Sequence, residues 1–170
     1  MTNPEIQSTN RYAEDPSDRI MHKEIAVPAT SDQVWEAWTT TAGVKTFFSS
    51  AARVELKLGG AYEVYFLLDQ PYGLQGSEDC RILSFVPKKM LSFEWNAPPD
   101  FGELRQQHTQ VVLHFEEVKP GQVKVSFAQS GWGKGENWDK LYEYFDRAWD
   151  YVLKNLRKRF ESGPISWSKK

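Results

Sequence analysis

The chain has 170 residues and a formal charge of −2 at pH 7, so it lacks the basic excess that nucleic-acid binding requires. It contains neither the roughly 20 consecutive apolar residues of a membrane span nor a basic and apolar leader, and its single cysteine, Cys80, excludes an internal disulfide. We therefore expect one cytoplasmic domain, and an aromatic content of 14%, with seven tryptophans, indicates an aromatic core or an aromatic cavity.

The N-terminal part begins with a polar stretch. Residues 1–18 show no periodicity and are predicted to form a flexible arm. Residues 19–27 contain spaced apolar side chains and end before Pro28, which cannot continue a hydrogen-bonded ladder. This pattern predicts the first strand.

Two short helices are predicted next. Thr30 and Gln33 have the spacing of a capping box, in which both side chains bond free backbone N–H groups at a helix start. The helix continues through Trp38, and Gly43 is predicted to break it. Residues 44–48 are interpreted as a second short helix.

The middle of the chain has a period of two, which predicts strands. Residues 53–58 and 62–66 alternate on either side of a Gly-Gly pair and are predicted to form a hairpin. Residues 78–86 follow a loop and have apolar residues on both faces, which suggests a bulge. Three further alternating runs, separated by a long loop and a Pro-Gly turn, bring the total to seven strands: 91–95, 111–115 and 123–127.

The last element has the clearest pattern. Over 138–160, apolar residues recur at intervals of three and four, which predicts a long amphipathic helix. Asn137 is predicted to cap its start, and Gly163 to end it. We therefore predict a domain over 19–163, followed by a C-terminal tail over 164–170.

Glycines at 131, 133 and 135 precede this helix and raise the question of a phosphate-binding loop. A dinucleotide fingerprint requires its third glycine one residue later and a strand after the helix. Neither condition is met. The glycines are instead interpreted as a sharp turn from the last strand into the helix.

The sequence offers little support for catalysis. His114 and Glu116 have only a loose metal-ligand spacing on a strand face with polar neighbours, so no metal is predicted. Cys80 lies in a strand with no basic residue on its own face, which is typical of an inert buried thiol. We predict no cofactor and no catalytic residue, and therefore a protein that is not an enzyme.

Strand parity places several polar-tipped side chains on the inward face. Tyr62 shares a face with Val64 and Phe66, and Gln129 follows Phe127. Buried hydroxyl, indole and amide groups need hydrogen-bond partners, which can be one another, the backbone or a bound molecule. An aromatic core and a ligand pocket account for this pattern equally well.

Several stretches together resemble a known family. They are TSDQVWEAWTT, KLGGAYEVYF, CRILSFVPKKMLSFEW and VSFAQSGW, followed by the long aromatic helix. The chain resembles the family named for the activator of heat shock protein 90 ATPase, within the START-like (SRPBCC) superfamily. The resemblance implies an α+β helix-grip fold, in which a curved antiparallel sheet of six to seven strands wraps a long C-terminal helix and encloses an apolar cavity. It implies a fold rather than a reaction.

These observations predict that the chain binds a small hydrophobic or aromatic ligand between the sheet and the helix. The predicted ligand-binding residues are Tyr62, Val64, Phe66, Trp95, Leu113, Phe127, Gln129, Phe145, Trp149 and Val152. The alternative that the resemblance implies is a co-chaperone that modulates heat shock protein 90 ATPase. A cyclase-like enzyme using Tyr62 or His114 ranks below both. The sequence does not determine the oligomeric state.

Overall fold

The alternating segments form seven strands in the computed structural model, which describes residues 10–168. The strands are Met21–Val27 (β1), Ala51–Val54 (β2), Tyr62–Tyr65 (β3), Ile82–Val86 (β4), Met90–Trp95 (β5), Thr109–Lys119 (β6) and Gln122–Ser130 (β7). Five of them form an antiparallel sheet in the order β1-β7-β6-β5-β4, and β2 pairs with β3. The predicted α+β fold is confirmed.

The register of the large sheet aligns apolar residues in rows. Leu91 pairs with Leu113, and Leu113 pairs with Phe127, so three buried side chains form one row across three strands. The suspected bulge is present in β4, where the register shifts between Ile82 and Ser84. Such rows make one continuous apolar face on which a helix can pack.

The β2–β3 ribbon continues the larger sheet. Isolated bridges join Ala61 to Arg81 and Tyr65 to Gly76, which links β3 to the chain leading into β4. The ribbon therefore lies beside the edge of the five-stranded sheet and extends its surface.

Two short helices, Ser31–Thr39 (α1) and Thr41–Val44 (α2), follow β1. The capping box of α1 is confirmed, because the Thr30 hydroxyl accepts from the Gln33 N–H at 3.2 Å and the Gln33 side chain accepts from the Thr30 N–H at 2.9 Å. The prediction that Gly43 ends the first helix is wrong. Gly43 lies within α2, where its N–H donates to the Thr40 hydroxyl and so helps to start a second helix.

The long C-terminal helix spans Glu136–Ser162 (α3) and packs on the sheet. The predicted cap at Asn137 is wrong, because the helix begins directly after Gly135, whose φ of 116° suits glycine, and no side chain caps it. Gly163, with φ of 95°, ends the helix as predicted. Within residues 10–168, no helix is both long enough and apolar enough to cross a membrane.

The glycine segment before α3 makes the predicted turn. Gly131 has φ of 86°, which favours glycine. A Cβ atom on Gly133 would overlap the indole of Trp138, so this position also requires glycine. The segment therefore brings α3 close against the end of β7.

Part of the predicted N-terminal arm lies within the described residues. Ser17 donates both its backbone N–H and its hydroxyl to the carbonyl of Trp132, at 2.6 and 2.9 Å. Arg11 reaches Glu94 of β5. Residues 10–18 thus bond to several parts of the domain, and residues 1–9 lie outside the described part of the chain.

Candidate ligand-binding cleft

A cleft of about 780 Å³ lies at one end of the contact between the sheet and α3. Its walls come from five separate parts of the chain: residues 48–50, the loop after β3, the end of β5 with the following 3₁₀ segment Pro99–Gln106, one face of α3, and residues 166–168. The volume suits a small organic molecule.

Three buried aromatic rings form the floor of the cleft. The centroid of Phe48 lies 5.4 Å from that of Trp95 and 5.6 Å from that of Trp149. Trp95 and Trp149 are 5.2 Å apart. The side chains of all three are at most 5% exposed, so the floor is a fixed aromatic surface rather than a set of mobile side chains.

The rim is more accessible and is also aromatic. Phe66 is 45% exposed and Tyr151 is 61% exposed. Phe101 and Tyr144 meet edge to face at 5.9 Å. A ligand resting on the buried floor would therefore also contact rings at the rim.

The C-terminal segment supplies one wall because backbone groups anchor it. The N–H of Ile165 donates to the Thr46 carbonyl at 2.8 Å, and the Trp167 indole N–H donates to the Lys45 carbonyl at 2.7 Å. Both acceptors directly follow α2. These bonds hold Trp167 beside the cleft.

The loop that carries Phe66 is held by a buried carboxylate, Glu78. Its oxygens accept backbone N–H groups from Gly73, Gln75 and Gly76. Burial alone would raise the pKa of Glu78, but these backbone donors outweigh it and the pKa is lowered. An ionised Glu78 thus fixes the loop residues that border the cleft.

Five predicted site residues line the cleft. They are Phe66, Trp95, Phe145, Trp149 and Val152. Phe66 does so although it lies beyond β3, which ends at Tyr65. The sequence prediction placed the Phe66 side chain inward by continuing the strand alternation of Tyr62 and Val64. Phe66 reaches the cleft from the loop instead, so that reasoning does not explain its position.

The other five predicted site residues do not reach the cleft: Tyr62, Val64, Leu113, Phe127 and Gln129. Tyr62 stacks on Phe93 at 4.0 Å, and its hydroxyl donates to the Trp38 carbonyl at 2.8 Å. The Gln129 amide donates to the Thr109 hydroxyl at 2.8 Å. This part of the interior is filled by the protein's own side chains. The Tyr62 hydroxyl and the Gln129 amide nitrogen have protein partners, whereas the Gln129 side-chain oxygen has none within the described residues.

A second polar cluster, which the sequence did not indicate, surrounds Glu94 on the opposite face of β5. Its carboxylate accepts from Arg11 at 2.6 Å, from the Tyr12 hydroxyl at 2.5 Å and from the Arg81 N–H at 3.0 Å, and His108 Nδ1 lies 3.6 Å away. Burial by itself would raise the pKa of Glu94, but the nearby His108 ring and hydrogen bonds from Arg11 and Tyr12 lower it to about 2. Glu94 is therefore a structural anion rather than a proton donor.

The cleft contains few groups suited to acid–base chemistry. His114, a sequence candidate, is exposed on β6 and does not line the cleft. Cys80 is fully buried, and burial raises the pKa of its thiol. Among residues 10–168, no group of three His, Cys, Asp or Glu side chains is placed to hold a metal ion. None of the described residues that line the cleft is a histidine or a cysteine.

Comparison with protein families gives a match over most of the chain. Residues 28–161 match the family described as activator of Hsp90 ATPase homolog 1-like protein. No curated protein sequence matches the chain significantly.

Several solved structures share the fold. The Aha1 dimer from Colwellia psychrerythraea is 17% identical, with a TM-score of 0.66, over 85% of this chain and 98% of that chain. An HSP90 activator from Plasmodium falciparum is 15% identical, with a TM-score of 0.64, over 86% and 97%. DynU16, a protein of the dynemicin biosynthetic locus, is 19% identical, with a TM-score of 0.64, over 87% of this chain and 49% of that chain. At these identities the likeness establishes the fold alone.

Proposed function

The chain belongs to the family of activator of Hsp90 ATPase homolog 1-like proteins, and we propose that it binds a small hydrophobic or aromatic molecule in the cleft beside α3. The observation that carries the proposal is the aromatic floor of Phe48, Trp95 and Trp149 beneath an open volume of about 780 Å³. Concave apolar surfaces of this size with a few polar groups are typical of small-molecule sites.

The expected affinity follows from the area that a ligand would bury. A two- or three-ring ligand burying roughly 250 Å² of apolar surface gains about 6 kcal/mol at about 25 cal/mol per Å². Ligand immobilisation opposes part of this gain, whereas the floor requires little ordering because it is already packed. We therefore expect dissociation constants in the micromolar range or weaker.

Filling the cleft tests the proposal. Ala148 lines it from α3 and is half-buried. In Ala148→Trp the added indole occupies ligand space, so we expect the dissociation constant for the neutral dye Nile red to rise at least about tenfold. Fluorescence titration measures the change.

The matched control is Glu143→Trp, which places the same side chain on α3 at an exposed position outside the cleft. It should bind the dye as the parent protein does. Equal dye affinity in the parent and in Ala148→Trp would show that the dye does not use this cleft. Absence of dye binding by the parent would count directly against the proposed function.

A second candidate function is co-chaperone-type modulation of heat shock protein 90 ATPase. The family description supports it, as does the fold shared with the Plasmodium falciparum HSP90 activator. Adding the purified chain to the chaperone and measuring ATP turnover tests it. Dose-dependent stimulation that Ala148→Trp leaves intact would favour this function and separate it from cleft binding.

We further propose that binding occurs without catalysis by Tyr62 or His114. The Tyr62 hydroxyl is buried and bonded to the Trp38 carbonyl, and burial raises its pKa well above the ordinary value. Turnover of a screened substrate that Tyr62→Phe abolishes would overturn this view. The ligand-binding domain over 19–163, the cytoplasmic location and the absence of a cofactor stay predictions.

A further inference from the structure

Among the described residues, the charges that line the cleft are unbalanced. Of its described lining residues, Asp100 is the only charged one. Asp100 is exposed at the start of the 3₁₀ segment and lies close enough to Tyr144 to influence it, since burial and, secondarily, the Asp100 charge raise the pKa of Tyr144. The cleft therefore presents a carboxylate beside aromatic rings.

A partly buried cation of the same 3₁₀ segment, Arg105, does not offset this charge. Arg105 donates to the Ala97 carbonyl at 2.6 Å and to the Gly73 carbonyl at 2.8 Å, and it pairs with Glu78 at 3.1 Å. Its guanidinium is thus engaged behind the cleft wall. It does not line the cleft and is not available to a ligand there.

The aromatic rings reinforce the preference that Asp100 creates. Phe101 and Tyr144 meet edge to face beside Asp100, and Tyr144 also contacts Phe145 at 5.3 Å between centroids. The face of an aromatic ring carries negative charge and attracts ammonium groups. A carboxylate and several ring faces therefore favour the same kind of ligand.

Resting on the proposed binding function, we propose that the cleft is selective for an organic cation: an aromatic or polycyclic molecule that carries an amine. The ring system lies on the floor formed by Phe48, Trp95 and Trp149, and the ammonium group lies near Asp100. A carboxylate of the same shape would meet Asp100 and the ring faces with no compensating cation among the described lining residues, so anionic ligands are disfavoured.

Three probes that share one ring system test this selectivity. They are 1-naphthylmethylamine, which is protonated at neutral pH, the uncharged 1-naphthylmethanol, and 1-naphthoate. Calorimetric titration at low ionic strength should give the amine about five- to tenfold tighter binding than the alcohol, with the carboxylate weakest. High salt should reduce the difference between the amine and the alcohol.

Two variants assign the preference to Asp100. Asp100→Asn should reduce the advantage of the amine over the alcohol to about twofold. Glu103→Gln removes a charge from the same 3₁₀ segment outside the cleft and should preserve the preference. Lys169 and Lys170 lie outside the described residues, so a variant with alanine at both positions is titrated in parallel and should retain the same order.

The outcomes separate the two proposals. If the alcohol binds and the amine binds no better, or if the carboxylate binds best, the cation preference is wrong and the proposed binding function stands. If Asp100→Asn leaves the amine preference intact, its assignment to Asp100 is overturned. If none of the three probes binds while Nile red does, the cation preference is wrong and the proposed binding function stands. If neither the probes nor Nile red binds, both proposals fail.

Discussion

Glu94→Gln is expected to lower the free energy of unfolding by about 3 kcal/mol at pH 7. Glu94 is 1% exposed and accepts hydrogen bonds from Arg11, Tyr12 and the Arg81 backbone N–H. A neutral amide cannot accept from all of them, and it leaves the Arg11 charge without its principal partner. Urea denaturation followed by circular dichroism measures the loss.

The same carboxylate predicts how stability depends on pH. The pKa of Glu94 is lowered from an ordinary 4.5 to about 2. Because the folded-state pKa is depressed, its contribution is complete above pH 4.5 and is lost as the pH falls toward 2. The free energies of unfolding of the parent and Glu94→Gln should therefore converge between these values.

A surface ion pair provides the control for the Glu94 prediction. Glu116 pairs with Lys124 at 3.4 Å and is 67% exposed. Glu116→Gln should change the free energy of unfolding by less than about 1 kcal/mol. Two results would contradict the prediction. One is a loss of unfolding free energy in Glu94→Gln no larger than that in Glu116→Gln. The other is an unfolding free energy of Glu94→Gln that depends on pH between 2 and 4.5 as that of the parent does.

Trp149→Ala is expected to lower the free energy of unfolding by about 4 kcal/mol. Trp149 is 1% exposed and lies 4.7 Å from Phe127 and 5.2 Å from Trp95 between ring centroids. Its removal leaves a cavity where α3 meets the sheet. Within the described residues its indole nitrogen has no hydrogen-bond partner, so the loss measures packing rather than a hydrogen bond.

Two further tryptophan variants sharpen this test. Trp149→Phe keeps an aromatic ring and should cost about half as much as Trp149→Ala. Trp35 is only half-buried, against Phe85 and Phe115, so Trp35→Ala should cost less than Trp149→Ala. A loss under about 1 kcal/mol for Trp149→Ala would contradict the observed docking of α3 on the sheet.

Most element positions could be read from the sequence because they depend on neighbouring residues. The Thr30–Gln33 capping box and the helix end at Gly163 both appear where they were predicted. The errors at Gly43 and Asn137 are also local. In both cases a nearby backbone or side-chain group starts the helix at a different residue from the one chosen by residue preference alone.

The candidate site was only half predictable. Parity correctly placed Tyr62, Leu113 and Phe127 inside the protein, and all three are buried. Parity does not reveal whether the space in front of a residue is empty or filled. At one end of the space between the sheet and α3, Tyr62 stacks on Phe93 and fills the interior. At the other end the cleft remains open, and one of its walls is formed by residues 166–168, which were predicted to be part of a C-terminal tail.

The buried carboxylates were missed for a related reason. Glu63 and Glu94 occupy alternate positions that ordinarily face solvent in a one-sided sheet. Here Arg11 and Tyr12 cover Glu94, while Arg53, Tyr65 and Tyr72 bond Glu63. Apart from Tyr65, which is two residues from Glu63 on the same strand, these partners lie far away in sequence or across a turn or loop, so no local pattern predicts them.

By itself the sequence determined which segments are strands and helices, that they form an α+β domain, and which family that domain resembles. The positions of the strands and helices follow from periodicity and from short-range hydrogen bonding, which consecutive residues determine. The family resemblance rests instead on matching stretches such as KLGGAYEVYF and VSFAQSGW. Only the tertiary structure decided where open volume remains, which carboxylates are buried, and that Asp100 is the charge beside the cleft. Volume and burial depend on how side chains from distant segments fill a shared space, and sequence spacing does not specify that filling.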